Sequence, residues 1–158
     1  MAIKKSFLYD LILFLVLNFG ALAIGGLLMG EGPSSNYYSD LNKAPWTPPG
    51  WVFGAAWFTI MLCFSVYMAS WKSIQKSTSN LWLLFGIQWV LNVLWNPVFF
   101  LRNLPIPSLL IISCLTALVG YILFSNRTHL GLKSLLISPY FIWLCIATSL
   151  NAYIILYN

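Results

Sequence analysis

The side chains with recognition chemistry in this sequence are indoles, phenols and carboxamides rather than acids and bases. In QWVLNVLWNPVFF, residues 88–100, Gln88, Asn92 and Asn96 recur every four positions, with Leu91, Trp95 and Phe99 between them. At the helical period all six fall within an arc of about 140°. In PYFIWLCIATSLNAY, residues 139–153, Tyr140, Trp143, Ala147, Leu150 and Asn151 occupy a similar arc. A third apolar stretch adds Trp57, with Gly54 one turn before it and Phe53 beside that glycine. Aromatic walls with a few placed polar groups are the usual form of a small-molecule pocket. Trp57, Trp95 and Trp143 therefore suit a large, flat, mostly apolar ligand, stacked on indoles and oriented by an amide or two. Gln88 and Asn96 also read as hydrogen-bonding glue between membrane helices, and Gly50 and Gly54 as points of close helix approach.

The elements that must hold these residues are set by composition. Sixty per cent of the chain is apolar and only 7% is charged, against roughly 25% charge in soluble domains. The eight basic and three acidic side chains cannot cover a water-facing surface, so the solvent is lipid. Five charge-free windows lie between them: 11–30, 44–71, 77–101, 103–126 and 134–158. A bilayer-spanning helix needs about 20 apolar residues, and each window supplies one; the alternation of barrel strands is missing. The expected fold is an all-α membrane protein, a single domain over 1–158 with five transmembrane helices near 7–29, 50–71, 80–101, 106–126 and 132–156. Short connections after the second helix predict antiparallel neighbours in one bundle.

Lys4, Lys5, Lys72, Lys76, Arg127 and Lys133 fall on one side of such a bundle, and only Lys43 and Arg102 on the other. By the positive-inside rule the N-terminus is expected in the cytoplasm, and the C-terminus and first loop outside. Scattered over loops, these cations indicate topology control and no nucleic-acid partner. Lys4-Lys5, an apolar run and Ala21-Leu22-Ala23 resemble a cleavable signal. Asp10 and the apolar residues continuing to Met29 favour a retained first span. Cys63, Cys114 and Cys145 occur singly, predicting neither disulfide nor metal site. The span interiors hold no Asp, Glu, Lys or Arg, which argues against proton-coupled transport and ion conduction. His129, the one histidine, falls in a loop, and no general acid–base pair accompanies the indoles.

Residues 30–49, GEGPSSNYYSDLNKAPWTPP, are too polar to continue a span and too aromatic for a plain linker. Long loops in compact domains are commonly functional, and this one is expected to fold as a lid over the bundle mouth, carrying Tyr37, Tyr38 and Trp46. Thr47 is the expected N-cap of the second span, with proline in its first turn.

Three stretches, LNKAPWTPPGWVFGAAW at 41–57 and the two quoted above, carry a family resemblance over nearly the whole chain. The chain resembles the tryptophan-rich sensory protein / translocator protein (TspO/MBR) family, also called peripheral-type benzodiazepine receptors. The resemblance implies a five-helix bundle, often a homodimer in a bacterial cell membrane, whose cavity takes porphyrins, sterols and synthetic aromatic ligands under the first loop. Carried over residue by residue, it implies ligand contacts at Trp46, Trp57, Asn92, Trp95, Trp143, Ala147 and Leu150, to which the arc on the last helix adds Tyr140. Tyr37-Tyr38 stands where relatives often have Trp-Tyr. No cofactor is required; a tetrapyrrole would be the ligand. Lys43-Ala44-Pro45-Trp46 departs from the usual Lys-Pro-Ser-Trp. The family's sterol pattern near the C-terminus lacks its basic residue after Leu150 and Tyr153, and the pattern itself is weak, since Leu62-Tyr67-Lys72 also fits it.

Three functions follow as alternatives. The first is a membrane receptor or carrier for tetrapyrrole-like ligands. The second, implied by the resemblance, is light-dependent porphyrin degradation through Trp57 and Trp143. The third is transport of a porphyrin or sterol.

Overall fold

A computed structural model describes residues 5–158, so Lys4, counted above for topology, lies outside the described residues. The order is α1 (Lys5–Leu28), α2 (Asn36–Asp40), α3 (Gly50–Ile74), α4 (Ser79–Asn96), α5 (Pro105–Leu130) and α6 (Ser138–Tyr157). All but α2 are long, and the described residues form an all-α bundle. Four continuous helical segments are long and apolar enough to cross a membrane; the last, Pro105–Tyr157, turns back at Gly131 and comprises α5 and α6. The 20 residues of α6 span about 30 Å, one bilayer core. Membrane-facing surfaces are plain: Leu83, Ile87, Val90 and Leu94 are exposed along one side of α4.

Local chemistry sets the boundaries. α3 begins directly after Pro48-Pro49, with Pro49 as its N-cap and no side-chain cap, so Thr47 does not cap it and the prolines stand before the first turn. Lys72 sits in its last turn, where a cation complements the helix dipole. At Gly131 the backbone adopts φ +54°, ψ −128°, a conformation side chains oppose. A tight 3₁₀ stretch, Gly131–Ile137, follows before α6, which is why the last helix starts later than the expected 132. Pro139 then occupies the first turn of α6, where a missing N–H is harmless.

Around the bundle, α1 packs against both α3 and α4, α4 against α5, α5 against α6, and α6 against α3. Helices α3 and α4 follow one another in sequence, yet their backbones barely approach; α1 lies between them. Aromatic rings fill the centre. Phe64 of α3 stacks on Phe85 of α4 at 6.2 Å and meets Tyr140 of α6 edge-on at 5.3 Å. Phe14 of α1 lies on Phe85 at 5.2 Å. All four are at least 96% buried.

Polar groups inside are largely paired between helices, as a lipid solvent requires. Asn18 Nδ2 donates to Ser65 Oγ at 2.8 Å, Trp89 Nε1 to the Leu17 carbonyl at 2.9 Å, and Gln88 Nε2 to Tyr140 OH at 2.7 Å. Asn151 joins three elements at once. Its Oδ1 accepts from Ser108 Oγ at 2.9 Å and from Trp95 Nε1 at 3.2 Å, and its Nδ2 donates to the Pro105 carbonyl at 3.0 Å. Away from the lid, Lys72 pairs with Asp10, joining the end of α3 to the start of α1.

Candidate functional site

The loop after α1 folds back because glycine permits it. Gly30 and Gly32 have φ of +63° and +54°, and a Cβ on Gly32 would fall 2.9 Å from Met29 Sδ. Ser35 then caps α2, its hydroxyl accepting from Tyr38 N–H at 3.2 Å. The lid is tied down at three places. Tyr37 and Tyr38 pack against Phe99 at 6.4 and 6.3 Å, and Tyr38 also meets Phe100 at 5.4 Å. Asn42 N–H donates to Asn158 Oδ1 at 2.7 Å. Trp46 Nε1 donates to Ser149 Oγ at 3.2 Å, and its ring meets Tyr153 edge-on at 5.4 Å. Burial raises the pKa of both lid phenols. The Lys43 ammonium lies above the Tyr38 ring, 4.8 Å from its centre, in a cation–π contact.

The docking surface for Tyr37 and Tyr38 comes from Pro97. Lacking an N–H, proline interrupts the α-helical ladder, and α4 continues through a wider π turn, Pro97–Leu101, in which Arg102 N–H bonds the Pro97 carbonyl at 2.9 Å. Such turns recur at functional sites. This one turns Phe99 flat onto Trp95, at 5.2 Å and 9°, with Phe100 edge-on to both rings.

Beneath the lid and between α1, α3 and α4 lies a cavity of about 390 Å³, within the range of roughly 300–1,000 Å³ common for small-molecule sites. Phe53, Trp57, Trp95, Phe100 and Tyr38 give it aromatic walls. Its polar atoms come from Asn92, Asn96, Thr47 and Lys43. Asn92 is 93% buried, yet its amide, like that of Asn96, makes no hydrogen bond among the described residues. Neither amide is sealed from solvent: the buried side-chain polar atoms without a partner among the described residues are Trp71 Nε1 and Gln88 Oε1, while Asn92 and Asn96 line the cavity, where their amides are open to a ligand. Asn96 thus differs from its expected role as helix glue, which Gln88 does fill.

Glycine supplies the room. Gly26, Gly50 and Gly54 all line the cavity, and a Cβ built on any of them meets no heavy atom within 4 Å. The expectation that Gly50 and Gly54 permit close helix approach is not met: nothing from a neighbouring helix reaches their Cβ positions. Close approach occurs instead at Gly25, where a Cβ would lie 2.7 Å from Asn96 Nδ2, and at Gly120, against Phe141.

Of the ligand and lid residues expected from sequence, Tyr38, Trp57, Asn92 and Trp95 meet at the cavity, as do Phe53 and Asn96 from the same helical faces. The others stand elsewhere. Trp143 lies behind the wall, edge-on to Phe53 at 5.2 Å, and borders a shallow groove between α3 and α6. Tyr140 is fully buried under Trp57, with ring centres 6.0 Å apart. Ala147 packs against the aromatic core and Leu150 is buried on α6. Trp46 turns away from the mouth toward α6 and is 54% exposed; Tyr37 rests on Phe99. The whole α1 wall, Ala21, Leu22, Gly26 and Met29, was missed, as was Lys43. The small-residue run Gly20-Ala21 to Gly25-Gly26 was the available signal.

The sequence pattern of the TspO/MBR family matches residues 12–157, a stretch that contains every wall of the cavity. The chain belongs to the TspO/MBR family. Among similar proteins, the tryptophan-rich protein TspO of Chlorobaculum tepidum is 31% identical over 93% of this chain and 97% of its own length. The tryptophan-rich sensory protein of Cereibacter sphaeroides is 34% identical, covering 84% of this chain and 81% of its own. The human translocator protein is 30% identical, covering 77% and 74%. This TspO/MBR protein is accordingly an integral membrane protein.

A substitution tests whether the glycine-lined space is the binding volume. Gly54→Leu is expected to lower affinity for a cavity ligand at least tenfold while leaving the thermal midpoint in detergent unchanged or higher. Glycine costs about 1 kcal/mol against alanine within a helix, and no neighbour within 4 Å opposes the new Cβ. Equal affinity in the variant would place the ligand elsewhere.

Proposed function

We propose that this protein is a membrane receptor or carrier that takes a porphyrin, or a similar large flat ligand, into the cavity between α1, α3 and α4 under the lid. The observation that carries this reading is that Trp57 of α3 and Trp95 of α4 line one cavity together with the Asn92 amide, which has no hydrogen-bond partner among the described residues and is open to a ligand. Indole faces stack on a planar apolar ring, and the two free amides would meet its polar centre. The names of relatives, a sensory protein and a translocator protein, suit detection or movement of a small molecule. Consistent with the distribution of cations, the lid end faces outward and the Asp10–Lys72 end faces the cytoplasm, in what we take to be a bacterial cell membrane.

Titrating the detergent-solubilised protein with protoporphyrin, followed by tryptophan quenching and by the ligand's own absorbance, tests the reading. Saturable binding at one site per chain is the expected result; only linear partitioning into micelles would sink it. Light-dependent degradation is a separate reading, resting on the Trp57–Trp143 pair. With Phe53 between Trp143 and the cavity, oxidation would have to pass from one indole to the other. Bleaching of illuminated complex no faster than with Trp57→Phe would leave binding as the activity. A porphyrin flux into liposomes above that of empty vesicles would mark a carrier.

A further inference from the structure

Lys43 is the one cation in the cavity wall. Its Nζ donates to the Ser39 carbonyl at 3.2 Å and lies over the Tyr38 ring. Among the described residues the only salt bridge is Lys72–Asp10, so no carboxylate pairs with Lys43. One backbone carbonyl and one ring leave donor capacity on an ammonium, which carries three N–H groups. The rest of the wall is apolar apart from Thr47 and the two free amides, and those amides sit with Trp57 and Trp95 on the α3–α4 side. Lys43 enters the same lining from the lid. The lining therefore combines uncharged hydrogen-bonding groups with one positive charge, contributed by the lid and without a salt-bridge partner among the described residues.

We infer that Lys43 is a specificity residue that reads a carboxylate on the lid-side edge of the ligand, so that the natural ligand is an amphipathic planar acid rather than a neutral ring or sterol. This rests on the cavity being the binding site. The Tyr38 ring beneath the ammonium holds it without neutralising it, and no carboxylate among the described residues, the lid's own Asp40 and Glu31 included, forms a salt bridge with it. In the partly desolvated mouth a charge-assisted hydrogen bond to the ligand's carboxylate is stronger than a neutral one. The lid would then close on its ligand through the same residue that Tyr38 anchors, giving an acid-bearing ligand a hold on the lid that an ester lacks.

The test compares protoporphyrin with its dimethyl ester, which keeps the ring and removes the charge, on wild type, Lys43→Gln and Lys43→Arg in nanodiscs. Taking the acid-to-ester affinity ratio, and comparing it between variants, cancels partitioning of each compound into lipid. Wild type and Lys43→Arg are expected to prefer the acid about tenfold, and Lys43→Gln less than twofold, the effect of one hydrogen bond to a charged group. The preference of wild type should also shrink in high salt. Binding of both compounds with equal affinity by wild type, or an undiminished preference in Lys43→Gln, overturns the role of Lys43 and leaves the cavity reading standing. Saturable binding of neither compound overturns the cavity reading, and this inference with it.

Discussion

Trp57→Ala is expected to weaken porphyrin binding about 30-fold, whereas Trp143→Phe should change it less than threefold. Truncating a central tryptophan in a desolvated pocket commonly costs about 2 kcal/mol or more, which corresponds to that factor. Trp57 presents its indole to the cavity and rests on Tyr140 behind it, so its loss removes a wall and leaves no side chain able to swing in. Trp143 reaches the cavity only through Phe53, whose ring it meets edge-on. Phenylalanine at 143 keeps most of that contact. The measurement is the ligand's absorbance shift, which does not depend on counting tryptophans in each variant. Comparable losses in both variants would mean that Phe53 moves aside and that the ligand reaches α6.

The second large effect separates amides that look alike in sequence. Asn151→Leu is expected to lower stability by about 2 kcal/mol, since hydrogen bonds between membrane helices contribute roughly 0.6 kcal/mol each on average and up to about 1.7. Three such bonds meet at Asn151, tying α6 to the start of α5 and to Trp95. For a chain of this size the loss corresponds to a fall of roughly 4–8 °C in the thermal midpoint. Asn92→Leu should do the opposite. Its amide has no partner to lose, so replacing it by an apolar group is neutral or stabilising, while ligand affinity falls severalfold. Thermal unfolding in detergent, read beside a porphyrin titration, distinguishes the two. If Asn92→Leu destabilised the protein as much as Asn151→Leu, its amide would have a structural partner and the polar face of the cavity would lie elsewhere.

These pairs also mark how far the site could be read from sequence. The α4 face was legible, because Asn92, Trp95 and Asn96 are neighbours along one helix and their arc follows from the helical period alone. Its π turn was not, although Asn96-Pro97 marks the place: proline announces a missing N–H, but whether the chain kinks, ends or widens depends on what packs there. Gly50 and Gly54 were misread for a related reason. A glycine pair on a helix says only that side chains are absent. Here nothing reaches their Cβ positions and the space in front of them stays open.

Composition and charge spacing by themselves determined that this chain is a bundle of membrane helices with a long aromatic loop after the first. Eleven charges cannot solvate such a surface, and their intervals match the thickness of a bilayer. The same sequence carries the family's three stretches and hence its membership. Only the tertiary structure decided which helices wall the cavity, because helical periodicity states which residues share a face and not which helix that face meets. By packing α1 between α3 and α4, the fold puts Ala21, Leu22, Gly26 and Met29 where α6 was expected. It leaves Trp143 one ring away and turns Lys43 inward beneath the lid. The neighbours of each face follow from how the helices fill space together, a property no single segment carries.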